Sequence, residues 1–78
     1  MAEEETKIRN IKELGQLVRT FRESAGLSQE SAAGLLGVSR KLLSEVETGR
    51  KDTIEVGKIF QILHRIGFEL KVSRKGRR

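Results

Sequence analysis

The residues with the most chemistry to offer fall close together: Arg40, Lys41, Ser44 and Glu45, in the run SRKLLSEVETG. On a helix these four positions share one face, because neighbours on a helical surface lie three and four residues apart. That face carries cationic donors, a hydroxyl and a carboxylate, groups that pair with the edges of nucleic-acid bases. Enzymatic chemistry has nothing comparable, since the chain holds no nucleophile beside a base, no phosphate loop and no metal constellation. His64, the single histidine, has no Asp, Cys or Ser at a recognisable spacing and reads as an ordinary surface residue. No enzyme activity, cofactor or metal is therefore expected.

Such a face needs elements that hold it still. Ser28 precedes a helix-compatible run with Gln29 and Glu30 in its first turn, which predicts a helix from about Gln29 to Leu36. Gly37 tolerates positive φ and lets the chain reverse, Val38 fills the corner, and Ser39 caps a second helix from Arg40 to about Thr48, ended by Gly49. Leu27, Ala32, Ala33, Leu36, Val38, Leu43 and Val46 fall at spacings that bury one stripe of both helices. Ala33, small and near the turn, lets the two helices cross closely.

The flanking chain supplies the rest of a core. Asn10 and Glu13 have capping-box spacing, and a first helix is expected from about Ile11 to Ser24 or Ala25, ended by Gly26. Its apolar face is Leu14, Leu17, Val18, Phe21 and Ala25. Gly15 weakens that helix by roughly 1 kcal/mol relative to alanine, so it marks a close approach by another helix. Arg19 and Arg22 read as solvated, with phosphate contact as the other option. A last helix is expected from about Ile54 to Ile66, with Val56, Ile59, Phe60, Leu63 and Ile66 inward, after a turn and cap at Asp52 and Thr53. Ile62 falls off that stripe, as does Ile54, and gives the outer surface a subunit contact.

After Gly67, the segment Phe68, Glu69, Leu70, Lys71, Val72 alternates apolar with polar residues, the signature of a strand. A single strand leaves its backbone unpaired, so residues 68–72 are expected to pair with a second copy across a two-fold axis. Pairing with Thr6 to Ile11 of the same chain is the competing arrangement. Ile62, Ile66, Phe68, Leu70 and Val72 then form the expected dimer interface.

Composition bounds the class. Seventy-eight residues make one domain near the lower limit for a self-sufficient core, which favours oligomerisation. Cysteine and proline are absent, so disulfides and thiolate metal sites are excluded and a mostly helical chain is favoured. No apolar run reaches the roughly 18 residues of a membrane span, which predicts a soluble, cytoplasmic protein without membrane contact. The formal charge of +5 comes mostly from Arg74, Lys75, Arg77 and Arg78, a basic tail at 73–78 that is either solvated or in contact with phosphate or a partner. Residues 1–9, with the acidic run Glu3 to Glu5, are expected to be mobile.

The motif at Leu27, Ser28, Gln29, Glu30, Ala33, Leu36, Gly37, Val38, Ser39, Leu43, Ser44, Glu47 and Gly49 resembles the helix-turn-helix of phage-repressor and Cro proteins in the xenobiotic-response-element family of regulators. The resemblance implies an all-α, lambda-repressor-like bundle of four to five helices within 10–67. By position it implies that Arg40, Lys41, Leu42, Ser44 and Glu45 face base edges of double-stranded DNA, and that Gln29, Ser39, Arg50 and Lys51 contact its backbone. Leu42 departs from the small polar residue common there, and a leucine suits either a thymine methyl or a neighbouring side chain. Glu45 must accept from a cytosine amino group or tolerate phosphate repulsion. With GFELKVS appended, the chain also resembles the HipB-type antitoxins. This narrower resemblance implies a bacterial homodimer on a pseudo-palindromic operator that represses its own promoter and neutralises a HipA-like serine/threonine kinase toxin. A phage-type or metabolic regulator without a toxin partner is the alternative.

Overall fold

In the computed structural model, residues 5–75 are described. The acidic positions Glu3 and Glu4 and the tail charges Arg77 and Arg78 lie outside them. Among the described residues there are four helices and no strand: α1 (Ile11–Ser24), α2 (Gln29–Leu36), α3 (Arg40–Glu47) and α4 (Val56–Arg65). Among the described residues no helix is long and apolar enough to cross a membrane.

Local chemistry explains the boundaries. Asn10 accepts from the Glu13 N–H at 2.9 Å, while the Glu13 carboxylate reaches back to the Arg9 N–H at 2.7 Å and the Arg9 side chain at 3.2 Å. The capping-box pair is therefore present, but its return bond lands one residue before the cap. Ser28 and Ser39 cap α2 and α3, accepting from Ser31 N–H and Leu42 N–H, each at 3.0 Å. α4 starts later than expected. Its N-cap is Glu55, which makes no side-chain capping bond, so Asp52 and Thr53 remain in the loop and Ile54 packs on the core from there.

The core joins all four helices: Leu14 and Val18 from α1, Ala32, Ala33 and Leu36 from α2, Leu43 and Val46 from α3, with Ile62 and Leu63 from α4 and Ile66 just beyond it. Each large aliphatic side chain buried there contributes about 1.5 to 3 kcal/mol. α1 and α3 meet at Gly15, where a Cβ would overlap the Val46 carbonyl and come within 3.3 Å of Glu47 Cα. The expected close approach is thus a crossing of α1 over the end of α3.

α4 is rotated from the expected stripe. Ile59, Leu63 and Ile66 face the core as expected, but Ile62 joins them at 1% exposed, whereas Val56 and Phe60 are 61% and 50% exposed. Between Val56 and Arg65 the apolar residues occupy one wide arc opposite Lys58, Gln61, His64 and Arg65, with Ile62 at one edge beside Ile66 and Phe60 at the other, and the core takes the Ile62 edge. Ile62 and Ile66 consequently have almost no surface to give a second copy. Residues 68–72 form no strand within one protomer. Phe68 instead turns inward, half-buried against the core, with its N–H donating to the Leu63 carbonyl at 2.8 Å. Ile8, at the other end, also packs there, but Thr6 to Ile11 and Phe68 to Val72 are not paired as strands.

Candidate nucleic-acid interface

α3 divides into two faces. Leu43, Val46 and Glu47 are buried, and Arg40, Lys41, Ser44 and Glu45 occupy the opposite side, the first two exposed and the others half-buried. Leu42 lies half-buried on the flank between them. Arg40, Lys41 and Arg50 hold no ion pair among the described residues. Two cations in the first turn of α3, with no acid beside them, oppose the helix dipole, which favours negative charge at that end. The arrangement works against helix stability by a few tenths of a kcal/mol per charge and suits an incoming anion. α2 shows the ordinary pattern, with Glu30 in its first turn. Ser28, Gln29, Glu30 and Arg40 line an open polar depression where the starts of α2 and α3 come together.

The expected backbone-contacting residues fare differently. Ser39 spends an oxygen lone pair on its cap and keeps its O–H to donate outward. Arg50 is exposed beyond the end of α3. Lys51 lies 3.8 Å from Glu45, so the carboxylate that a phosphate would repel already has a cation beside it. That pair is about a third exposed and of little energetic weight by itself. Gln29 is engaged inside the protein: its Nε2 donates to Glu47 Oε1 at 3.1 Å.

Glu47 is the residue that sequence reasoning left without a role. Its side chain is 2% exposed, and Arg22 from α1 grips it in two parallel bonds, Nε to Oε2 at 2.8 Å and Nη2 to Oε1 at 3.0 Å. Arg22 also donates to the Leu27 carbonyl at 3.0 Å, tying in the loop before α2. The hydrogen bond with Glu47 raises the Arg22 pKa above its ordinary value; burial opposes this, and the charges of Glu47 and Glu23 reinforce it. Arg22 is therefore not a solvated or phosphate-facing residue. With Glu47 and Gln29 it links α1, α2 and α3 through one carboxylate, and no buried side-chain polar atom among the described residues lacks a partner. The partners are 25 and 18 residues from Glu47, beyond any local pattern. The available signal was a lone carboxylate on the inward side of an amphipathic helix. Arg19, by contrast, pairs with Glu23 on the surface.

A helix pair locked from behind, with an unpaired cationic tip in front, is the shape of a helix-turn-helix, and comparison with known proteins agrees. Residues 13–72 match the family model described as a helix-turn-helix domain. The chain belongs to the helix-turn-helix family. It is also similar to the uncharacterised HTH-type transcriptional regulator y4mF of Sinorhizobium fredii, with 32% identity over 72 residues, covering 92% of this chain and 93% of the relative. In this helix-turn-helix protein α2 and α3 form the motif, and α3 is its second helix.

Proposed function

We propose that this protein is a homodimeric, sequence-specific repressor whose α3 reads base edges in the major groove. The coarser part, DNA-binding regulation of transcription, follows from family membership and from the relative named as a transcriptional regulator. The observation that carries the finer reading is the α3 face itself: Arg40 and Lys41 are exposed and unpaired at the helix tip, Ser44 and Glu45 stand behind them, and the opposite face is buried. Arg40 offers a bidentate fork suited to guanine, Lys41 and Ser44 offer single donors, and Leu42 offers an apolar contact for a thymine methyl. Ser39, Arg50 and Lys51 supply phosphate contacts at the two ends of α3, and Gln29 supports them from the start of α2. Two copies related by a two-fold axis would place their reading helices about 34 to 36 Å apart on a pseudo-palindromic site. Repression is steric, by occupation of the promoter, in the bacterial cytoplasm.

The second copy meets the segment after α4. Leu70 and Val72 are 53% and 92% exposed, and their alternation with Glu69 and Lys71 suits a strand that forms only with a partner. With Ile62 and Ile66 inside the core and Phe68 half-buried on it, that interface rests on Leu70 and Val72 and on the part of Phe68 left exposed. The resemblance of the chain to HipB-type antitoxins extends this reading to an antitoxin role, in which the dimer represses its own operon and neutralises a HipA-like kinase. A regulator without a toxin partner is the second reading; the relative is named as a transcriptional regulator, which fits either.

Fluorescence anisotropy over single-base variants of the bound duplex tests the assignment of Arg40. Arg40→Ala is expected to cost about 1 to 3 kcal/mol and to flatten the preference at one base position. Unchanged preference across the panel overturns it.

A further inference from the structure

α2 ends in the turn that sets the direction of α3, so the fate of its last carbonyls decides how firmly that turn is held. An α-helix leaves four C-terminal carbonyls without intrahelical partners. Two are taken within the turn: the Val38 N–H donates to Ala33 O at 3.0 Å and the Gly37 N–H to Gly34 O at 3.3 Å, the paired bonds of a Schellman ending around Gly37 at φ 73°. The other two are taken from α4. Arg65 Nη1 donates to Leu35 O at 3.0 Å, and Gln61 Nε2 donates to Leu36 O at 2.8 Å and to Gly37 O at 3.0 Å. The last turn of α2 has no basic residue of its own, so Arg65 provides the cation that the negative end of its dipole favours.

We propose that Gln61 and Arg65 are positioning residues for DNA recognition, holding the carbonyls of Leu35, Leu36 and Gly37 and thereby fixing the α2–α3 turn and the pose of the Arg40 face. The recognition half rests on the reading of α3 given above; the restraint on the turn does not. Both donors act through the turn, since neither belongs to α3. They stand one helical turn apart on α4, whose Ile62 and Leu63 are anchored in the core, so they reach the turn from a fixed base. The Gln61 amide is close enough that a Cβ on Gly37 would come within 2.6 Å of it. Methionine at either position keeps most of the bulk and loses the donor, whereas Arg65→Lys keeps a cationic donor.

The test compares wild type, the Gln61→Met/Arg65→Met double variant and Arg65→Lys in the full chain. Amide hydrogen exchange is read at Val38 and Leu42, whose N–H groups are bonded across the turn and at the cap of α3, and at Ala25, bonded to Phe21 O in α1. Binding is read by anisotropy on duplex from upstream of the protein's own gene and on a scrambled duplex. The double variant is expected to exchange about tenfold faster at Val38 and Leu42 than at Ala25, relative to wild type. Its preference for the upstream duplex should fall by a similar factor while scrambled binding is retained, and Arg65→Lys should stay near wild type. Unchanged exchange at Val38, or a uniform rise at all three amides, overturns the proposal. If wild type itself does not distinguish the duplexes, the reading of α3 fails and the recognition half with it, and exchange at Val38 still decides whether the turn is held.

Discussion

Glu47→Ala is the perturbation whose size the structure fixes best. It removes a carboxylate whose side chain is 2% exposed and which accepts from Arg22 Nε, Arg22 Nη2 and Gln29 Nε2. Breaking one partner of a buried pair costs about 3 to 5 kcal/mol, because the remaining charge is stranded. Arg22 is less stranded than that range assumes: its side chain is 15% exposed and it keeps the Leu27 carbonyl. The expected cost is therefore about 2 to 3 kcal/mol, which in a domain of this size lowers Tm by about 10 to 20 °C. Replacing both charges, as in Arg22→Met/Glu47→Leu, removes the stranded cation and should recover most of that loss. Thermal melts followed by circular dichroism, arranged as a double-mutant cycle, measure both. A Glu47→Ala melt within about 3 °C of wild type, or a double variant no more stable than the single, refutes the reasoning. The double variant should still bind DNA more weakly than wild type, because Gln29 no longer has Glu47 to hold its amide.

Three further outcomes follow from the packing and the charge pattern. Gly15→Ala should destabilise by about 1 to 3 kcal/mol despite the better helix propensity of alanine, because its Cβ meets the Val46 carbonyl; urea denaturation reads the sign. Ile62→Ala should cost about 2 to 5 kcal/mol in the same assay and Phe60→Ala far less, which is the reverse of what the simple stripe on this helix suggests. Arg50→Ala should weaken binding to all duplexes alike and reduce the salt slope by about one unit, measured by anisotropy across a salt series.

Much of the motif was legible because its signals are local. Ser28 and Ser39 cap from within three residues, and Gly37 and Gly49 end their helices at positive φ, so α2 emerges with the expected bounds and α3 with its end one residue earlier. Gly15 announced a close crossing without naming Val46 as its partner. The rest depends on distant or missing partners. The apolar arc of α4 is wider than the surface it covers, so whether its Ile62 edge or its Phe60 edge is buried is decided only by the helices it packs against. The tie between Glu47 and Arg22 joins two helices and has no spacing to betray it. The alternation after Gly67 describes a strand that a single protomer has nothing to pair with, and Phe68 satisfies itself by packing on its own core. Gln61 and Arg65, which close the end of α2, belong to a different helix from the carbonyls they serve.

The most direct test of the central claim is an anisotropy titration of the intact protein against duplex from upstream of its own gene and against a scrambled duplex, at two salt concentrations. Base readout by α3 predicts a preference for the upstream duplex that persists at the higher salt, because phosphate contacts weaken equally for both sequences. Equal binding to the two duplexes, lost together as salt rises, would mean that Arg40 and its neighbours act only as charge, and would contradict the account.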